Sequence, residues 1–421
     1  MRRVMNKKFS VWLVAAVLGG GASTARAQEP SPAPEAAAAA PAQAPPAARS
    51  TFEFYGFAMM DIGHDFKQID PDWFDTMRVA RLPSSEDQFG RDNRTFAGVR
   101  QTRFGVRTST PTAIGDFKTL FEFNLFGSGV DAGQTTFRLR HAWGELGAIG
   151  AGQTWSVFTD VDAFPKTLEF FGPTGLAWFR NAQVRWTPIT GEHTVMVAVE
   201  RPGASGDDGI YAQRIELQNI RPRFPVPDVS AAYKYSRPWG HVRAAGVLRF
   251  IKWDDVLEDQ FDLSGDATGW GLNLSSNLKA GPKDLIRVAL VVGEGIQNYM
   301  NDSPIDIGVA NNLANPVTPV VGKPIPVVGI SAFVDHVWNE KYISTFGYSR
   351  QDNDNTDAQA PAAFRDGQYA LGNVQYLPVP NVMVGGELQW GRRQNFSDGF
   401  SSDGFKLQFS FKYNFAWKLG S

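Results

Sequence analysis

The last strand-like stretch of the chain limits its fold more than any other feature. From Phe405 to Trp417 every second residue is apolar or aromatic (Phe405, Leu407, Phe409, Phe411, Tyr413, Phe415, Trp417), with Lys406, Gln408, Ser410, Lys412, Asn414 and Ala416 between them. A period of two is that of a β-strand with one apolar face. This unbroken alternation is longer than a soluble sandwich strand uses, whereas a tilted strand crossing a bilayer needs about ten residues. The same alternation recurs at Phe117, Thr119, Phe121, Phe123 and Leu125, and at Val382, Val384, Gly386, Leu388 and Trp390.

Marking every such segment gives sixteen strands, over 53–65, 96–109, 115–126, 135–146, 148–155, 178–187, 193–201, 228–236, 240–253, 268–278, 284–295, 327–338, 341–350, 367–376, 382–393 and 403–417. Their links alternate in length. Tight links such as Thr110–Ile114, Pro188–Glu192 and Asn339–Glu340 follow even strands, and long ones (66–95, 156–177, 202–227, 296–326, 351–366) follow odd strands. A sandwich has no reason to sort its loops by parity. The expected fold over 51–421 is therefore an all-β, up-and-down antiparallel transmembrane barrel of about sixteen strands, with both termini on the short-turn, periplasmic rim. Closure and an even strand count satisfy the backbone in lipid. Trp143, Trp186, Trp253, Trp270, Trp338, Tyr376 and Trp417 fall near segment ends, where interfacial girdles are expected.

The N-terminus sets the compartment. Arg2, Arg3, Lys7 and Lys8 precede an uncharged apolar stretch from Phe9 to Leu18, and Ala25-Arg26-Ala27 is a small-x-small site, so residues 1–27 read as a signal peptide for export to the bacterial outer membrane. Residues 28–50, rich in Ala and Pro, read as a disordered low-complexity periplasmic tether. Removal of the signal takes away five cations and no acids, leaving 36 Lys+Arg against 43 Asp+Glu, a net charge of −7. An acidic exported chain argues against nucleic acid as a partner. The chain has no Cys, which excludes thiolate metal sites and disulfides.

If the aromatic register faces lipid, the other register lines the lumen. It carries Arg103, Arg107, Lys118, Arg138, Arg140, Arg185, Lys234, Arg243, Arg249, Arg287, Lys406 and Lys412, against Glu122, Asp335, Glu387 and Glu200. The external loops are expected to hold acids such as Asp65, Asp70, Asp72, Asp75, Asp207, Asp208 and Asp352. Arg103, Arg107, Arg138 and Arg140 share one wall with Lys118 and Glu122. A lumen so lined favours small anionic solutes, and guanidinium forks favour carboxylates over halide. The loop 156–177 is too apolar for an open external loop. With Phe158, Phe164 and Phe171 punctuated by Asp160, Asp162 and Glu169, it is expected to fold in and narrow the pore, its carboxylates facing the arginine wall.

The runs RFGVRTSTPT from Arg103, FKTLFEFNLFG, RLRHAWGEL, GAGQTWSVF and FPKTLEFFGPTG resemble the DcaP-like outer-membrane porins of Gram-negative bacteria. The resemblance covers about 51–421 and is strongest from Arg103 to Arg185. It implies a homotrimeric sixteen-stranded anion-selective diffusion porin among outer-membrane lipid and lipopolysaccharide, associated with dicarboxylic or aromatic acids. It also implies an arginine eyelet at Arg103, Arg107, Arg138, Arg140 and Arg185.

No cofactor, metal or catalytic residue is expected. The sequence has no G-x-S-x-G or H-E-x-x-H, its five histidines are scattered singly, and QDNDNTD (Asp352, Asp354, Asp357) lacks the Gly of an EF-hand turn. The alternative to a porin is a structural or adhesive barrel with a blocked lumen, working through its loops and tether.

Overall fold

The computed structural model describes residues 49–419. The signal-peptide reading of 1–27 and most of the tether reading of 28–50 lie outside the described residues. The rest is a closed antiparallel barrel of sixteen strands. These are β1 (Thr51–Asp65), β2 in two halves (Arg94–Gly98 and Arg103–Thr112), β3 (Gly115–Phe126), β4 (Thr135–Leu146), β5 (Ile149–Trp155), β6 (Arg180–Ile189), β7 (His193–Glu200) and β8 in two halves (Ile220–Arg223 and Asp228–Arg237). They continue as β9 (Gly240–Asp255), β10 (Gly265–Ala280), β11 (Asp284–Glu294), β12 (Pro326–Asn339), β13 (Tyr342–Asn353), β14 (Phe364–Tyr376), β15 (Val382–Asn395) and β16 (Ser401–Leu419). Each pairs with its sequence neighbours, and β1 closes the ring by pairing with both β2 and β16. All sixteen sequence segments are strands. The two interruptions are additions: residues 99–102 break β2, and 224–227 break β8.

The register is set by which face is greasy. On β16, Phe405, Phe409, Phe411, Tyr413 and Trp417 are exposed on the outer surface, while Lys406, Gln408 and Ser410 are buried within. Apolar side chains outside and polar ones inside invert a soluble protein and suit a lipid surround. Trp186, Trp270, Trp338 and Trp417 stand on the outer face, as the girdle reading expects. Trp143 and Trp253 depart from it, being only slightly or partly exposed. The cause at Trp143 is a bulge: Glu122 pairs with His141 and Phe123 with Leu139, leaving Arg140 as the extra residue. Two consecutive residues, Arg140 and His141, are thereby buried, and the register beyond turns Trp143 inward as well. Trp253 donates its indole N–H to the Leu263 carbonyl at 2.9 Å.

Three long segments at the rim opposite the short turns fold into the barrel. Residues 66–93 lay Met77, Val79 and Ala80 against Phe333, Phe364, Tyr369 and Leu371. Residues 156–179 lay Val157 and Phe158 against Ala198, Ala245, Val247 and Val291. Residues 295–325 contribute Ile296, Tyr299 and Met300 to that second cluster and form a separate hairpin, Ile307–Asn311 with Val320–Pro324. Burial of these apolar loop faces inside a polar-lined barrel fixes where the loops can sit.

Candidate pore constriction

The loop from Ser156 crosses the lumen because wall side chains accept or donate to its backbone. At its start, the Glu200 carboxylate accepts from the Ser156 hydroxyl at 2.8 Å and the Val157 N–H at 3.2 Å. Arg243 donates to the Val157 carbonyl, and Asn273 to that of Phe158 at 2.8 Å. Further on, Glu387 accepts the Leu168 and Glu169 N–H groups at 2.8 and 3.1 Å, while Asn373 donates to the Lys166 carbonyl. The lumenal carboxylates Glu200 and Glu387 thus hold the loop, and buried N–H groups left without such acceptors would be costly.

Two of the loop's own carboxylates, Asp160 and Asp162, do not face the arginine wall. Asp160 accepts from Ser275 at 2.6 Å and lies 2.8 Å from His241, and Asp162 pairs with Lys234 at 2.6 Å. Both sit against β8–β10. Glu169 turns back to accept the N–H groups of Met77, Phe171 and Gly172. The expected opposition of acidic loop and basic wall is corrected by this geometry: the partners of Asp160 and Asp162 belong to β8–β10, and Glu169, though it lines the arginine cavity, is held by loop N–H groups. Against the upward push of burial, the His241 and Ser275 hydrogen bonds and the nearby Arg243 guanidinium hold the Asp160 carboxyl well below the ordinary carboxylate range. Asp160, Asp162 and His241 bring three potential metal-ligand atoms within 4.8 Å of one another. Lys234 already supplies a positive charge there, so a metal would compete with it.

What the loop turns toward the arginines is aromatic. A cavity of about 730 Å³ is lined by Arg103, Arg138, Arg140 and Arg180 with Glu122 on one side, and by Phe164, Lys166, Phe170, Phe171 and Trp178 on the other. Arg140 pairs with Glu122 at 2.7 Å, Arg103 lies 3.6 Å from the same carboxylate, and Tyr55 donates to it at 2.9 Å. Arg138 lies over the Phe170 ring at 5.4 Å and Arg180 over Trp155 at 4.6 Å, without a salt bridge to either guanidinium among the described residues. Phe164 stacks on Trp178 at 4.1 Å.

The sequence-derived set therefore divides. Arg103, Glu122, Arg138 and Arg140 converge, as do Phe164, Glu169 and Phe171. Arg107 pairs with Glu53 at 2.9 Å and is half exposed, Lys118 is exposed, and Arg185 lies 3.8 Å from Glu145 and over Trp143, so these three stand outside the cavity. Phe158, Asp160 and Asp162 anchor the loop's far side. Arg180 was missed because strict alternation from Arg185 puts it on the outer face; at the first position of β6 the incoming loop places it inside instead.

The lumenal acids were also undercounted. Glu53, Asp61, Glu145 and Asp228 join the wall acids, and Asp65 and Asp75, assigned to external loops, are buried. Asp61 accepts from Gln101, Gln408 and Ser410, and Asp75 pairs with Arg100 at 2.6 Å.

Comparison with known proteins gives a consistent frame. The profile of the DcaP outer membrane protein family matches residues 36–304. Among solved structures, the outer membrane channel DcaP of Acinetobacter baumannii is similar over 87% of this chain and 97% of its own, with 20% identity and a TM-score of 0.73. The anion-selective porin from Comamonas acidovorans is similar over 87% and 100%, with 11% identity and a TM-score of 0.57. The trimer form of OmpT from Vibrio cholerae is similar over 87% and 99%, with 15% identity and a TM-score of 0.51. A search of curated proteins returns no match.

Proposed function

The chain belongs to the DcaP outer membrane protein family, and from that premise we propose that it is a diffusion channel, without catalytic chemistry, for small anionic solutes and carboxylates in particular. One observation carries the reading: four guanidinium groups, from Arg103, Arg138, Arg140 and Arg180, line one wall of a single cavity, where Glu122 pairs with Arg140 and lies 3.6 Å from Arg103 while Arg138 and Arg180 have no salt-bridge partner among the described residues. Local charge of one sign in a low-dielectric passage concentrates counter-ions. Forked donors add a preference for planar, two-oxygen anions.

A second cavity of about 700 Å³ toward the long-loop rim shares Arg78 and Ser303 with the first. This continuity supports a passage over a blocked structural barrel. The likeness to an outer membrane channel, to an anion-selective porin and to the trimer form of a third barrel supports a trimeric porin in the outer membrane, and the termini belong to its short-turn, periplasmic rim. The test is reversal potential in a planar bilayer under a tenfold KCl gradient. Anion preference that falls in the Arg103→Ala/Arg138→Ala double variant is expected; a wild-type channel without anion preference, or a double variant with an unchanged reversal potential, defeats the reading.

A further inference from the structure

Between the two cavities stands a cation that the lumenal register cannot reveal, because it comes from a loop. Arg78, in the 66–93 segment, lines both cavities. Its guanidinium lies over the Trp73 ring at 4.4 Å and over the Phe171 ring at 4.5 Å. The Nε–H donates to Asp302 Oδ1 at 2.9 Å, and the other Asp302 oxygen accepts the Ala80 N–H at 2.8 Å. Among the described residues neither terminal nitrogen of Arg78 has a hydrogen-bond partner. Asp302 itself is buried and holds a left-handed backbone, φ 58°, which an Asp tolerates better than most residues. The two rings and the carboxylate therefore hold the guanidinium in place while half of its fork faces open volume.

Resting on the channel reading above, we infer that Arg78 is a separate carboxylate-binding station at the floor of the outer cavity, which an anion occupies before it reaches Arg103, Arg138, Arg140 and Arg180. The ligand is a carboxylate whose two oxygens meet the free terminal nitrogens, as bidentate pairing requires. Asp302 competes for the same guanidinium, so the station binds weakly enough to release its anion inward. Cation–π contact with Trp73 and Phe171 fixes the plane in which the fork is presented. Two weak stations in series give selectivity without trapping the solute.

The test uses the full chain in planar bilayers, with succinate added to one side as a blocker of the chloride current. Val130, fully exposed in the loop after β3, offers a Val130→Cys label that reports orientation, because the chain has no other cysteine. Arg78→Lys keeps the charge and loses the fork. It is expected to raise the half-blocking concentration of succinate from the long-loop side roughly tenfold, the loss of one charge-assisted hydrogen bond, with the KCl reversal potential unchanged. Asp302→Asn removes the competitor and is expected to lower that concentration severalfold. A general loosening of the loops would weaken block in both variants, so the opposite signs separate a binding role from a structural one. Unchanged succinate block in Arg78→Lys, with anion preference intact, overturns the station alone. Weaker block in Asp302→Asn also overturns it, whereas loss of anion preference in the wild type overturns the eyelet reading beneath it.

Discussion

Replacing Arg138 by Ala isolates the field of the constriction from its stability. Arg140 shares Glu122 with Arg103, and its removal would leave a buried carboxylate short of a partner. Arg138 has only the Phe170 ring beneath it. The four arginines and Glu122 sum to a charge of about +3, which Arg138→Ala lowers by one. A unit charge about 5 Å from a permeating ion in a water-like dielectric contributes about 0.8 kcal/mol. That is about a fourfold change in anion occupancy, and the same factor acts in the opposite sense on a cation. The anion-to-cation permeability ratio should fall by about sixteenfold at low salt. Near 1 M, where the Debye length is about 3 Å, most of this change should vanish. Reversal potentials under tenfold KCl gradients at low and high mean salt measure both. Lys118→Ala, at an exposed position outside the cavity, is the control. Equal shifts in the two variants, or a shift independent of salt, would refute the placement of the selective field at the arginine cavity.

Three further outcomes follow from the way the crossing loop is held. Glu387→Ala leaves the N–H groups of Leu168 and Glu169 and the Asn373 amide without their acceptor, and should cost about 3 kcal/mol; a lower midpoint of heat unfolding in detergent, with noisier current, checks it. Deleting Phe158 to Phe171 should raise single-channel conductance, because the aromatic side of the cavity goes with it; an unchanged or smaller conductance contradicts the constriction role. Burial pushes Glu169 up to about 8 against the pull of Lys406 and the Gly172 and Phe171 N–H groups. Since the folded value exceeds the free one, its contribution to loop seating is complete below about 4.5 and is lost as pH rises through about 8. Protease cleavage within 156–179 should therefore increase above that pH in the wild type and show no such rise in Glu169→Gln.

The strands were legible because lipid enforces a period of two on every segment it touches, and β16 shows this without a break. The loop's inward fold was legible for the complementary reason, since Val157, Phe158 and Leu168 have no use at an aqueous rim. Side-chain direction near strand ends was not. One bulged residue at Arg140 reverses the sides of Trp143 and Glu145, and a first-position residue such as Arg180 follows the loop that delivers it. Loop partners were hidden as well: nothing in the spacing of Arg78 and Asp302, far apart in sequence, announces a 2.9 Å contact.

Those hidden partners alter what a lumenal charge count means. On the β8–β12 side, Lys234 is matched by Asp162, Arg287 by Asp335, and Arg249 by both Asp228 and Asp306. These cations hold loops and strands together, and their charge is compensated within a few ångströms. On the β2–β6 side Arg103 and Arg140 share Glu122, and Arg138 and Arg180 line the same cavity without a salt-bridge partner among the described residues. With about 8 Å as the screening length at physiological salt, a passing ion responds to the nearest uncompensated groups and hardly at all to the remote balanced ones. A chain with more acids than bases can therefore present a positive constriction. Its selectivity should follow the few arginines without a carboxylate of their own, and substitutions at Arg249 or Arg287 should damage folding well before they change which ion passes.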